Sequence, residues 1–202
     1  MTQPHWDAVY DRSAVTDVSW YQVEPAVSLE LVVATRLGPD APVVDIGGGA
    51  STVVDRLLDL GYLDVSVLDV AAAALDNARS RLGSRAGEVE WIVADLLDWQ
   101  PPRQYRLWHD RAVFHFLTDP ADRDRYRAVL SRTLAPDGQV IVGTFAADGP
   151  TRCSGLPTAR YSPPDLAAEF PDYRVEQTVR EEHVTPAGRM QPFTWLRLTP
   201  LR

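Results

Sequence analysis

The sequence predicts an α/β domain built on a mainly parallel sheet, covered by helices on both faces and closed by an antiparallel hairpin. Three observations carry this. From residue 42 to 145 short apolar strands alternate with helical stretches through brief connections, the pattern of a parallel sheet. The first of these strands stops at Gly47-Gly48-Gly49. Near the other end two long strand-like runs, 173–184 and 190–199, flank Pro186-Ala187-Gly188, a hairpin signal.

The first forty residues read as helical. Pro25 stands where a helix can begin and Gly38-Pro39 where it ends; Val27, Leu29, Leu31, Val32, Ala34 and Leu37 give an irregular apolar face between them. Residues 42–46 form the first strand. Ser51 is placed to cap a helix through about residue 60, with Val53, Val54, Leu57, Leu58 and Leu60 on its buried side and Gly61 ending it. Residues 64–69 make a second strand, 71–82 an alanine-rich helix, 88–94 a third strand and 105–110 a fourth. A helix over 121–134 precedes a turn at Pro136-Asp137-Gly138 and a fifth strand over 139–145. With no repeat and no linker, the chain reads as one domain over 1–202. It divides into a helical N-terminal segment (1–40), a core (41–146), and a substrate-side loop with the hairpin (147–202).

Composition excludes several functions. The 202 residues are 45% apolar and 24% charged, as in ordinary globular proteins and unlike disordered chains. No stretch approaches the length of a membrane span and no secretory signal opens the chain, so the sequence reads as cytoplasmic. A net charge of −8 disfavours nucleic-acid partners. All twenty basic residues are arginine, which excludes lysine Schiff-base chemistry and a P-loop. The single cysteine, Cys153, can form neither an internal disulfide nor a thiolate zinc site, and no metal is expected.

In an open parallel sheet the ligand crevice lies at the carboxyl ends of the strands. The glycines after Asp45-Ile46 let the backbone pass close beneath a ligand. Asp69 ends the second strand, where a carboxylate can accept both hydroxyls of a ribose. Asp95 follows the third, where it can accept from an adenine amino group. A dinucleotide fingerprint counted from Gly47 needs a third glycine where Thr52 stands, and Asp45 is a poor neighbour for pyrophosphate. An NAD-dependent oxidoreductase is therefore the weaker alternative. S-adenosylmethionine fits better, with its ribose at Asp69, its adenine at Asp95 and its cationic end near Asp45.

At these residues the sequence resembles the class I S-adenosylmethionine-dependent methyltransferases: D-I-G-G-G-A-S from Asp45, L-D at the second strand, A-D-L at the third, and L-A-P-D-G-Q-V-I-V before the fifth. Ser51 stands where the commoner family pattern has its last glycine. The resemblance implies a Rossmann-like sheet of seven strands whose last two form the hairpin. It also implies S-adenosylmethionine as cofactor, held by Asp45, Gly47, Gly48, Gly49, Asp69, Val70, Asp95 and Leu96.

Two further stretches belong to the expected site. The W-D-x-x-Y and S-W-Y-Q start resembles a methyltransferase branch in which such aromatics line the methionine end, which nominates Tyr10, Trp20 and Tyr21 for the cofactor. The alternative is that they staple the first helix to the sheet. Trp108-His109-Asp110-Arg111-Ala112 resembles the W-D-R-G-A stretch of thiopurine methyltransferase-like proteins, although the following Val113-Phe114-His115-Phe116 departs from it. Asp110 and Arg111 are expected at the cofactor, and His115, with Asp110, as the group handling a proton. His115, Phe116, Arg160 and Tyr161 are expected to face the acceptor, a small molecule or a protein side chain. A non-catalytic S-adenosylmethionine-binding module is the remaining alternative.

Overall fold

The computed structural model describes residues 3–12 and 14–201. In chain order the elements are α1 (Gln3–Arg12), a single 3-10 turn (Val15–Asp17), α2 (Ala26–Ala34), β1 (Val43–Ile46), α3 (Val53–Asp59), β2 (Val65–Asp69), α4 (Ala72–Leu82) and β3 (Val89–Val93). They continue with β4 (Tyr105–Arg111), α5 (Pro120–Thr133), β5 (Leu134–Phe145), β6 (Arg152–Cys153), β7 (Leu156–Pro157), α6 (Pro163–Ala168), β8 (Tyr173–Val184) and β9 (Met190–Pro200).

Seven strands form one sheet in the order β3-β2-β1-β4-β5-β9-β8. The first five run parallel and β9 and β8 antiparallel, as the hairpin signal requires. Strand order reverses between β1 and β4, so the ligand crevice belongs above their carboxyl ends. β1 and β2 are buried along their whole length, which is why they read as continuous apolar runs. One face of the sheet packs on α2, α3 and α4 through Leu31, Val53, Leu57 and Leu75; the other packs on α5 and α6 through Tyr126, Leu130 and Leu166.

Four local expectations change. The helix after Pro25 ends at Ala34, short of Gly38, because Arg36 takes a left-handed φ of 57°. Thr52, not Ser51, occupies the cap position of α3, although the Ser51 hydroxyl still accepts the Val53 amide at 3.2 Å. Pro136-Asp137-Gly138 does not precede β5 but bulges out within it, since Tyr105 pairs with Leu134 and Leu107 with Gln139. The loop after β5 folds into the small β6–β7 hairpin, turning through Ser154 and Gly155 at positive φ.

The segment between α1 and α2 is tied to the closing hairpin. Gln22 donates to Glu181 at 2.6 Å, His183 donates through Nε2 to the Ser19 carbonyl at 2.7 Å, and Thr52 donates to the Gln22 carbonyl. Trp6 of α1 packs on Ala71 and Ala74 at the start of α4. Trp6, Tyr10 and Trp20 thereby lie over the carboxyl end of the sheet. No helix among the described residues is long and apolar enough to cross a membrane.

Candidate active site

One deep cavity opens above the switch point. Its β1–β3 side is walled by Ile46, Gly47, Leu68, Asp69, Val70 and the segment from Ala94 to Leu97. Its β4–β9 side is walled by Arg111, His115, Phe116, Phe145, Gln191 and Phe193. Trp6, Tyr10 and Trp20 close it from the N-terminal segment, with Trp6 edge-on to both Trp20 and Phe116. About 900 Å³ lies between these walls when the open solvent at the mouth is included.

The glycine loop acts by what it lacks. Gly47 and Gly49 take φ of 63° and 45°, conformations that side chains rarely adopt. A Cβ at Gly47 would overlap a methyl of Val113, and one at Gly49 would press on the Asp69 carboxylate and the Tyr10 hydroxyl. Gly47→Ala is expected to destabilise the fold by roughly 1–3 kcal/mol, a drop in Tm of several degrees in thermal unfolding.

Asp69 ends β2 at the cavity wall. One carboxylate oxygen accepts the Ala71 amide at 2.8 Å, bracing the turn that leads into α4, so the residue has a structural tie as well as facing the cavity. Burial pushes its pKa up to about 6, with Asp45 adding to the rise and the amides of Ala71, Val70 and Gly49 opposing it. Asp95 starts the 3-10 turn Leu96–Asp98, accepting the Leu97 amide at 3.0 Å, and also lines the cavity.

Several expected residues lie elsewhere. Asp45 points away from the cavity, toward α2: its Oδ1 pairs with His109 Nδ1 at 2.7 Å, and His109 Nε2 bonds the Ser28 hydroxyl at 3.0 Å. All three side chains are buried. Gly48 covers this carboxylate, since a Cβ there would lie 2.5 Å from Asp45 Oδ2. Neither Asp45, Gly48 nor Gly49 is part of the cavity wall. Asp110 is fully buried on the α5 face and accepts the Val113 amide and the Tyr126 hydroxyl, while Trp108 donates to Tyr126. Its pKa rises to about 6 through burial, but it shapes the loop after β4 and touches no ligand space. Tyr161 is core, stacked beside Phe114, and Arg160 is exposed with its guanidinium toward the Gly149 carbonyl. Tyr21 lines a shallow surface depression, outside the main cavity.

His115 is in the cavity wall, but not as a base. Its Nδ1 accepts the Phe145 amide at 3.3 Å, so the ring proton sits on Nε2, which has no partner. Burial, together with Arg111, lowers its pKa to about 3. His115 is thus a neutral hydrogen-bond donor at neutral pH. Arg111 lies beside it, its Nη1 donating to the Trp20 carbonyl at 2.8 Å.

Some wall residues had no signal in the sequence. Gln191 and Phe193 lie in a stretch of β9 that is buried on both faces, and only the pairing of β9 beside β5 brings them to the β4 side of the cavity. Trp6 stood in the aromatic start, without a hint that it, and not Tyr21, would reach the cavity. Among the described residues no cluster of three or more His, Cys, Asp or Glu is placed to hold a metal ion.

Residues 43–138 match the family model described as a methyltransferase domain. That match spans a little under half of the chain. The chain's fold is the class I methyltransferase fold: the structure of the N-methyltransferase NodS from Bradyrhizobium japonicum WM9, in complex with S-adenosyl-L-homocysteine, superposes with a TM-score of 0.74 at 16% identity, covering 97% of this chain and 98% of that one. The mouse (Mus musculus) eEF1A lysine and N-terminal methyltransferase is 24% identical over 140 residues, 68% of this chain and 19% of the relative. Nodulation protein S of Rhizobium tropici is 26% identical over 114 residues, 56% of this chain and 47% of the relative. The chain thus spans half or less of the length of these two relatives. The oxidoreductase alternative finds no support: Thr52, which breaks the dinucleotide pattern, is tied to the Gln22 carbonyl at the start of α3.

Proposed function

We propose that this methyltransferase domain binds S-adenosylmethionine in the cavity above β1–β4 and transfers its methyl group to a small-molecule or protein side-chain acceptor. The observation that carries the reading is Asp69: a carboxylate ending β2 beside a close-backbone glycine loop, buried and facing the cavity at the switch point. The residues present fit the cofactor. Asp69 would accept the ribose hydroxyls, Asp95 the adenine amino group, and Val70, Leu96 and Leu97 would flank the base, while Gly47 leaves the chain room to cross β1.

When bound, S-adenosylmethionine supplies a methyl group already activated on a sulfonium, so the protein's contribution is alignment and exclusion of water. The aromatic roof of Trp6, Trp20 and Phe116 excludes water, and its ring faces suit a neighbouring cation. No side chain of the cavity's β4–β9 wall is a base near neutral pH, since His115 holds its proton outward. The acceptor must therefore arrive with its lone pair available, or lose its proton to solvent.

Calorimetric titration with S-adenosylhomocysteine, followed by a turnover screen with labelled S-adenosylmethionine, tests the proposal. Absence of binding refutes it, and binding without turnover over a broad acceptor panel leaves the non-catalytic module. A pH profile supplies a sharper signature. The ionised Asp69 carboxylate accepts the ribose diol and the protonated acid does not. Affinity is therefore expected to be flat above pH 7 and to fall below pH 6, by at most about tenfold per unit. In Asp69→Asn the profile should flatten; a wild-type profile without this bend would move the ribose off Asp69.

A further inference from the structure

We propose that the methyl acceptor is an aromatic molecule carrying a carboxylate, held by Arg111 with the ring N–H groups of His115 and Trp6 beside it. This rests on the methyltransferase reading above and narrows its substrate class.

Unpartnered donors gather on the wall around the β4 end. Arg111 Nε and Nη2 are buried without a hydrogen-bond partner, and among the described residues Arg111 forms no ion pair. His115 Nε2 and Trp6 Nε1 are likewise buried and unpartnered. All three residues line the same cavity, so four unpartnered N–H-bearing atoms lie along one wall, where Gln191 is the neighbouring polar side chain. Burial lowers the pKa of Arg111, and Glu181 and Asp45 oppose this only without pairing with it, so a ligand oxyanion would offset the cost of burying the guanidinium. The Nε and Nη2 pair is the edge of a guanidinium that takes a carboxylate through two parallel hydrogen bonds.

The surroundings add the aromatic half. The Arg111 guanidinium lies 5.0 Å from the centre of the Phe193 ring, and Phe116 and Phe145 complete the wall. Arg111 sits on β4 and Phe193 on β9, beyond β1 from the strand that bears Asp69. A nucleoside anchored at Asp69 and Asp95 leaves this end of the cavity to the acceptor. The chain's overall charge of −8 would repel such an anion, so a lone unpaired arginine in the cavity is what admits it.

The test uses the full chain saturated with S-adenosylhomocysteine. Benzoate, salicylate and indole-3-acetate are each compared with their carboxamides, by calorimetry or ligand-observed NMR. At least one acid is expected to bind tenfold or more tightly than its amide. Arg111→Gln should erase that preference and Arg111→Lys keep part of it, with 5′-methylthioadenosine binding showing that each variant is folded. Equal binding within every pair overturns the proposal on the wild-type protein alone. It is also overturned if Arg111→Gln weakens S-adenosylhomocysteine at least tenfold but leaves 5′-methylthioadenosine unchanged, because the guanidinium then holds the cofactor's own carboxylate. If the wild-type chain binds no S-adenosylhomocysteine, the methyltransferase reading fails first and this one with it.

Discussion

Replacing Asp69 by alanine is expected to weaken S-adenosylhomocysteine binding on the order of 100-fold. Two charge-assisted hydrogen bonds to a ribose are each worth about 1.5 kcal/mol or more in a site shielded from water, and about 1.4 kcal/mol is tenfold in affinity. The same substitution removes the oxygen that accepts the Ala71 amide at the start of α4. Thermal stability should therefore fall with it, by the roughly 0.5–1.5 kcal/mol of a lost hydrogen bond. Asp69→Asn separates the two effects. The amide oxygen can still accept the Ala71 N–H, so stability should hold, while loss of the charge should cost about tenfold in affinity. Calorimetry on both variants beside their melting curves checks this. An alanine variant that binds as tightly as the wild type would place the nucleoside elsewhere.

The largest effect on stability is expected at His109, which the cavity does not use. His109 is 1% exposed and joins Asp45 to Ser28 across the β4–β1–α2 interface. In His109→Ala the buried Asp45 carboxylate is left with no side-chain partner on either oxygen: Oδ1 loses His109, and Oδ2 already has none. Removing one member of a buried pair costs about 3–5 kcal/mol, a fall in Tm on the order of 10 °C for a chain of this size. Adding Asp45→Ala should restore part of the loss, because no orphaned carboxylate remains. Denaturant unfolding of the two single variants and the double variant measures the coupling. Additive losses would mean that the two side chains stabilise the fold independently.

The sheet was legible because its determinants are local. Apolar runs, glycines at strand ends and the Pro-Ala-Gly turn each act within a few residues, and the observed strands follow them closely. That Asp69 and Asp95 line the cavity was legible for a related reason. They stand at strand ends, where chain position alone fixes which edge of the sheet they reach. The surroundings of the other expected residues were not. Asp45 and His109 look like a ligand group and a stray histidine in sequence, and they find each other only because β1 and β4 pair in register, Asp45 opposite His109. Ser28 sat on a helix whose apolar pattern gave no reason to bury a hydroxyl. Asp110 was drawn into the α5 face by Tyr126, sixteen residues away, and Tyr161 into the core by Phe114. His115 illustrates the hardest case: its residue type suggests a base, while one backbone amide from β5 decides its tautomer.

The ties from Ser19 and Gln22 to His183 and Glu181 bear on how the molecule is made. During synthesis the N-terminal aromatics leave the ribosome long before β8 exists to anchor them. Until some 160 further residues have emerged, Trp6 and Trp20 have only the first α/β units to lean on. The ligand chamber is thus roofed by a segment whose anchor on β8 lies about 160 residues further along the chain.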